Sequence, residues 1–166
     1  YNEHGHLPSD YNGASASITL EYAYDDWTVA ALAQRIGKQA LVSEYDKRAY
    51  SYKNIFDPSL HFARPKDKNG KWKTPFDILD THNQGFIEGN SWNYSFYVPH
   101  DVEGLIAQMG GERQFTERLD SIFTMHLPDE FFEHTEDVTR EGIMGNYVHG
   151  NEPSHPIPYL YAWTSQ

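Results

Sequence analysis

The sequence predicts an all-α fold in which antiparallel helix pairs are joined by long, aromatic-rich loops, as in part of an α/α barrel or toroid. Three observations lead there. Apolar residues recur at helical spacing over residues 15–37, 39–54, 103–109 and 112–125. The breaks between these stretches carry stop signals: Gly37, Asp57-Pro58 and Gly110-Gly111. Aromatic residues make up 15% of 166 residues while mean hydropathy is −0.72, so the rings lack the aliphatic company of an ordinary small core. Their apolar surface is expected to be completed by something outside the chain.

Each element has its own justification. Residues 1–13 form a polar segment with Gly and Pro, in which His4 and His6 are expected to be solvated. Ser15 or Ser17 caps a first helix that stops at Gly37. Ile18, Tyr22, Val29, Leu32 and Ile36 mark its apolar face. A second helix over residues 39–54 carries Leu41, Tyr45, Arg48 and Tyr52 in register, and together the two make an αα-hairpin. Asp25 and Asp26 sit in the first helix among rings and read as an interhelical hydrogen-bonding contact. Asn69-Gly70, flanked by Lys66, Lys68, Lys71 and Lys73, predicts an exposed hairpin turn. Leu105, Ile106, Met109, Phe115, Leu119, Ile122 and Phe123 provide the packing faces of two more helices, at 103–109 and 112–125. A last helix begins near Pro153 and carries Ile157, Leu160 and Tyr161 inward, with Pro156 and Pro158 in its opening turn. No repeat or linker divides residues 1–166, which read as one continuous domain.

Charge and composition exclude several classes of partner. A net charge of −11 argues against nucleic acid and anionic membrane, both of which need basic patches. Cysteine is absent, which excludes disulfides and thiolate metal sites. No apolar run is long enough for membrane insertion, and no signal peptide is recognisable. The first residue is Tyr1, so an internal piece of a longer polypeptide is expected.

Two loops carry the chemistry. One reads EGNSWNYSFYVPHD (88–101) and the other YVHGNEPSHPIPYLY (147–161). Each joins a Gly-Asn pair to a glutamate, with histidine and rings nearby. Gly89 and Gly150 allow close backbone approach, while Asn90 and Asn151 offer both donors and acceptors to hydroxyls. Flat rings against C–H faces, beside carboxylates and amides, suit a sugar. The plainer alternatives are that Glu88 is a capping group, and that His149, Asn151 and Glu152 build a turn before Pro153.

The segments EGNSWNYSFYVPHDVEGLIAQMGG and HGNEPSH, with LEYAYDDW at residues 20–27, resemble the catalytic domain of glycoside hydrolase family 92, calcium-dependent exo-α-mannosidases of bacteria. That family is built on an (α/α)6 barrel in a much longer enzyme, so the resemblance implies that residues 1–166 are part of one such barrel. It also implies an inverting reaction on terminal mannose, with α-1,2 linkage expected, in which Glu88 is the general acid. The rings of Trp92, Phe86 and Tyr94 are expected to desolvate Glu88 and keep it protonated. The family's general base lies in a GNDD-type motif that does not occur here, so the base is expected downstream and the separate chain is expected to be inactive. Substrate contacts are expected from Asn90, Trp92, His149, Glu152 and His155, and calcium ligands from Glu152 and Asn151. One departure is visible. The family reads HGNEPSHH, and here Pro156 stands in place of the second histidine. Mannose-terminated glycans and the remainder of the same polypeptide are the implied partners, and an extracytoplasmic location is implied. Two other readings remain: a different (α/α)6 inverting glycosidase without calcium, and a non-catalytic carbohydrate-binding helical domain.

Overall fold

The computed structural model describes residues 1–132 and 142–165, and these residues are rich in helix. Helix α1 (Ser15–Arg35) packs against α2 (Gln39–Ala49) as the expected hairpin. Gly37 closes the turn at φ +71°, and Lys38 N–H donates to Ala33 O at 2.9 Å, the long-range bond of a glycine-stopped helix end.

The inward face of α1 differs from expectation. Ala16, Leu20, Ala23, Ala30 and Ala33 are buried, while Tyr22, Val29, Leu32 and Ile36 are exposed. Both stripes repeat with the helical period, so periodicity alone does not choose between them. The alanine stripe is the one that lets α2 approach closely. The cap also differs. Ala14 occupies the capping position, and Ser15 and Ser17 lie inside the first turn, both buried.

Helix α2 ends at Ala49, and the backbone tightens into a 3-10 turn over Ser51–Ile55 instead of continuing as one helix to residue 54. The tighter winding turns Tyr52 and Ile55 into the core. A short antiparallel pair follows, β1 (Phe56–Asp57) with β2 (Phe62–Ala63). The Asn69-Gly70 turn forms as expected: Gly70 has φ +77°, Lys66 pairs with Trp72, and the Lys66 ammonium lies 4.0 Å from the Trp72 ring centroid. His6, expected in solvent, is buried, because its ring joins the carbonyls of His4 and Asp67 and ties the N-terminal segment to this hairpin.

Three further helices complete the frame: α3 (Ser91–Tyr94), α4 (Val102–Gln108) and α5 (Glu112–Thr124). Asp101 caps α4 by accepting from Gly104 N–H, and the Tyr52 hydroxyl donates to the same carboxylate at 2.6 Å. Phe115, Leu119 and Ile122 of α5 are fully buried against Phe96, Leu105 and Ile157 in a single core cluster. Beyond α5, β3 (Ile143–Met144) pairs with β4 (Tyr147–Val148). The expected last helix is wound as 3-10, over Glu152–Ser154 and Ile157–Trp163, since its prolines remove the amides an α-helix would need. Ile157 and Leu160 point inward as expected. Among the described residues, no helix is long and apolar enough to cross a membrane.

Candidate active site

The segment before α3 is anchored on the first turn of α1. Ala16 and Ser17 N–H donate to Gly85 O at 2.9 and 3.2 Å, and Ile87 N–H donates to Ser17 Oγ at 3.2 Å. The orphan amides of the helix start are thus satisfied by a distant loop. Gly85 has φ +99°, and a side-chain carbon there would lie 2.1 Å from Pro65, so only glycine permits this docking. On its other side, Glu88 is followed by a reciprocal cap. Asn90 accepts from Asn93 N–H, and Asn93 Oδ1 accepts from Asn90 N–H. Glu88 is held between two helix starts.

The second loop is tied to the first by side-chain amides. Asn90, 1% exposed, exchanges hydrogen bonds with Asn146 at 3.0 and 3.2 Å and also donates to Leu79 O. Asn146 lies in the β3–β4 turn and is fixed to α5 by donating its N–H to Ile122 O at 2.7 Å. Past that turn, Asn151 Nδ2 donates to Glu88 Oε2 at 2.6 Å. The two loops that share a Gly-Asn-Glu character in sequence therefore meet, and Glu88 lies at one of their contacts.

Around this contact lies an open pocket of about 420 Å³. Four carboxylates line it, Glu88 and Glu152 from the loops and Glu21 and Asp25 from α1, together with Tyr94, Tyr97, Ile87 and Pro153. Burial and the charges of Asp25 and Glu88 raise the pKa of Glu21 above the ordinary carboxylate value. Burial and the charges of Glu21, Glu88 and Glu152 raise Tyr94, and burial with Glu21, Tyr24 and Asp25 pushes Tyr97 up to about 12. Both phenols remain protonated and able to donate to a hydroxyl or ring oxygen.

The sequence-predicted residues are placed unequally. Glu88, Asn151 and Glu152 come together. His149 and His155 stand on the adjoining exposed turn, where Tyr147 OH and His149 Nδ1 are 2.6 Å apart and His155 Nε2 donates to His149 O. Asn90 has its amide fully engaged in the loop-to-loop link described above. Trp92 turns away from the pocket: its ring packs on Phe62 with centroids 4.8 Å apart, and its N–H donates to Arg118 O. Of the three rings expected around Glu88, Tyr94 lines the pocket and Phe86 packs behind it, at 5.6 Å. Asp26 makes the expected interhelical contact, with Arg48 of α2 at 2.8 Å, but Asp25 faces the pocket. Glu21 escaped the sequence reading. The usable signal is two like charges four residues apart on one helix, a pairing that weakens the helix and calls for a compensating role.

The oxygen donors expected for a cation lie on the second loop. Asn151 Oδ1 is buried without a hydrogen-bond partner, and the exposed Glu152 carboxylate is next in sequence. Among the described residues, no group of three His, Asp or Glu side chains could hold a metal ion.

The profile of the glycosyl hydrolase family 92 catalytic domain matches residues 1–166. The chain belongs to this family. A solved family GH92 α-mannosidase of Bacteroides thetaiotaomicron is 40% identical with a TM-score of 0.87, covering 97% of this chain and 21% of that one. The same enzyme in complex with mannoimidazole superposes with a TM-score of 0.89 at 39% identity, covering 97% of this chain and 22% of that one. A second enzyme of that organism, described as a family GH92 inverting mannosidase, is 36% identical with a TM-score of 0.81, over 97% of this chain and 22% of its own. An uncharacterized secreted glycosidase of Arthroderma benhamiae is 27% identical over 98% of this chain and 22% of its own length. The family GH92 region described here thus spans about a fifth of each relative.

Proposed function

We propose that this chain supplies the acid side of the active site of an inverting, calcium-dependent exo-α-mannosidase that removes terminal, α-1,2-linked mannose from glycans outside the cytoplasm. The family, and the solved relatives that act as α-mannosidases, support the substrate class. The secreted fungal relative supports the location. The observation that carries the mechanism is the 2.6 Å hydrogen bond from Asn151 to Glu88 inside a pocket of carboxylates and phenols.

In this reading Glu88, its Oε2 accepting from the amide, carries the acidic hydrogen and presents it to the glycosidic oxygen. As the bond to that oxygen breaks, the proton moves to the leaving sugar, and Asn151 stabilises the carboxylate left behind. Tyr94 and Tyr97 donate to sugar oxygens. A carboxylate from another part of the polypeptide takes the proton of a water that attacks the opposite face, about 6.5 to 9.5 Å from the acid. The donor chemistry at Asn151 Oδ1 and Glu152 fits a hard cation, with sugar hydroxyls, water and the longer polypeptide completing the set. Bound calcium would polarise and orient the hydroxyls it touches.

In the full-length polypeptide, Glu88→Gln is expected to lower hydrolysis of an unactivated mannoside about a thousandfold while leaving mannose binding intact, because an amide keeps the shape and loses the proton. Aryl mannosides with good leaving groups should lose far less. Near-normal turnover of a natural glycan by this variant removes Glu88 from the mechanism. Chelation is expected to abolish activity, with calcium restoring it better than magnesium, and survival of activity through exhaustive chelation rules calcium out.

A further inference from the structure

We infer that Glu21 and Asp25 make this pocket selective by charge, so that it accepts neutral mannosides and rejects glycans whose leaving sugar carries phosphate. The inference rests on the reading of the pocket as the mannoside site. Its ground is the way this chain treats its acids. Buried carboxylates of the frame are neutralised: Asp26 by Arg48 at 2.8 Å and Asp57 by Arg64 at 2.9 Å. Among the described residues, Glu21 and Asp25 form no ion pair and no lysine, arginine or histidine lines the pocket with them.

They also sit four residues apart on one helix, a spacing at which like charges repel, and burial first and then the charge of Asp25 raise the pKa of Glu21. Burial first and then the charge of Glu21 also raise Tyr94 and Tyr97, which line the same pocket. With a proton on Glu88 and a divalent ion at Glu152, the loops would carry one net positive charge against the two negative charges of the helix pair, so the pocket would keep a net negative charge. The helix pair would still face the incoming sugar with negative charge. A neutral mannoside has no net charge to be repelled, whereas a phosphate within about 8 Å of each carboxylate meets a penalty of about fivefold to tenfold per charge.

The test compares kcat/KM of the full-length enzyme for α-1,2-mannobiose and for the same disaccharide phosphorylated on O6 of its reducing sugar. At about 10 mM salt, the wild type is expected to prefer the neutral substrate by about a hundredfold, and at about 500 mM by about tenfold, since salt screens the repulsion. Glu21→Gln with Asp25→Asn should shrink the low-salt preference by about tenfold or more, and the exposed single change Asp25→Asn by a smaller factor in the same direction. Equal use of both substrates by the wild type overturns the inference. A preference that ignores salt and both sets of substitutions is steric, and also overturns it. Failure of the wild type to cleave either disaccharide instead sinks the mannosidase reading.

Discussion

The two sides of α1 use the same residue type in opposite ways. Toward α2, Asp26 is 4% exposed and accepts from Arg48 Nε and Nη2 and from the Tyr1 hydroxyl. Toward the pocket, its neighbour Asp25 and the nearby Glu21 form no ion pair among the described residues. One helical step of about 100° separates a carboxylate that holds the hairpin together from one that shapes a ligand's surroundings. The loops repeat the contrast with amides. Asn90 spends its donors and acceptors joining two loops, whereas Asn151 lends one donor to Glu88 and keeps an unpartnered oxygen.

The largest expected effect separates the two asparagines. Asn90→Ala leaves Asn146, Leu79 O and Asn93 N–H without partners in a buried setting, which should lower stability by about 3 kcal/mol. Asn151→Ala should cost about 1 kcal/mol in stability yet lower kcat about ten- to a hundredfold, because Glu88 loses its orienting bond. Urea denaturation and steady-state kinetics on both variants check the division. Parallel losses of stability and activity in the two would collapse it.

A smaller effect tests the two aspartates. Asp26→Ala leaves the partly exposed Arg48 with its looser 3.5 Å contact to Glu44 and should destabilise by about 2 kcal/mol, while Asp25→Ala should stay within about 0.5 kcal/mol. Equal midpoints in denaturant would mean that the ion pair with Arg48 contributes nothing to the hairpin.

The smallest effect is in pH dependence, where the two sides have opposite signs. Burial alone would raise Asp57, but hydrogen bonds from Ser59 and Arg64 outweigh it and hold the carboxyl below its usual range. Its contribution is complete above the ordinary aspartate value of about 3.9 and is lost as pH falls through the lower folded value. Glu21 is raised, so the stability linked to it is present below about 4.3 and is lost as pH rises through its folded value. Glu21→Gln should therefore gain a few tenths of a kcal/mol near neutrality, and Asp57→Asn should remove the acid-side loss. Urea midpoints from pH 3 to 7 that shift alike for both would show that the pocket carboxylates are not under strain.

By itself the sequence determined the local elements whose causes are local. Gly37 stops α1, Asn69-Gly70 turns the hairpin, and Gly110-Gly111 divides α4 from α5, because a positive φ is a property of single residues. The long motifs around Glu88 and Asn151 also determined the family, since their residue order needs no coordinates. What only the tertiary structure decided is which of two equally periodic faces of α1 is covered, and that the Gly85 carbonyl rather than a Ser15 or Ser17 hydroxyl satisfies its first amides. It also decided that Asn90 bonds to Asn146 and Trp92 packs on Phe62, and that Glu21 and Asp25 share a pocket with Glu88. Hydrophobic spacing carries the period of a helix but not its partner. A carboxylate's role depends on the group that packing brings beside it, the Arg48 guanidinium of α2 for Asp26 and the Asn151 amide from the loop after β4 for Glu88.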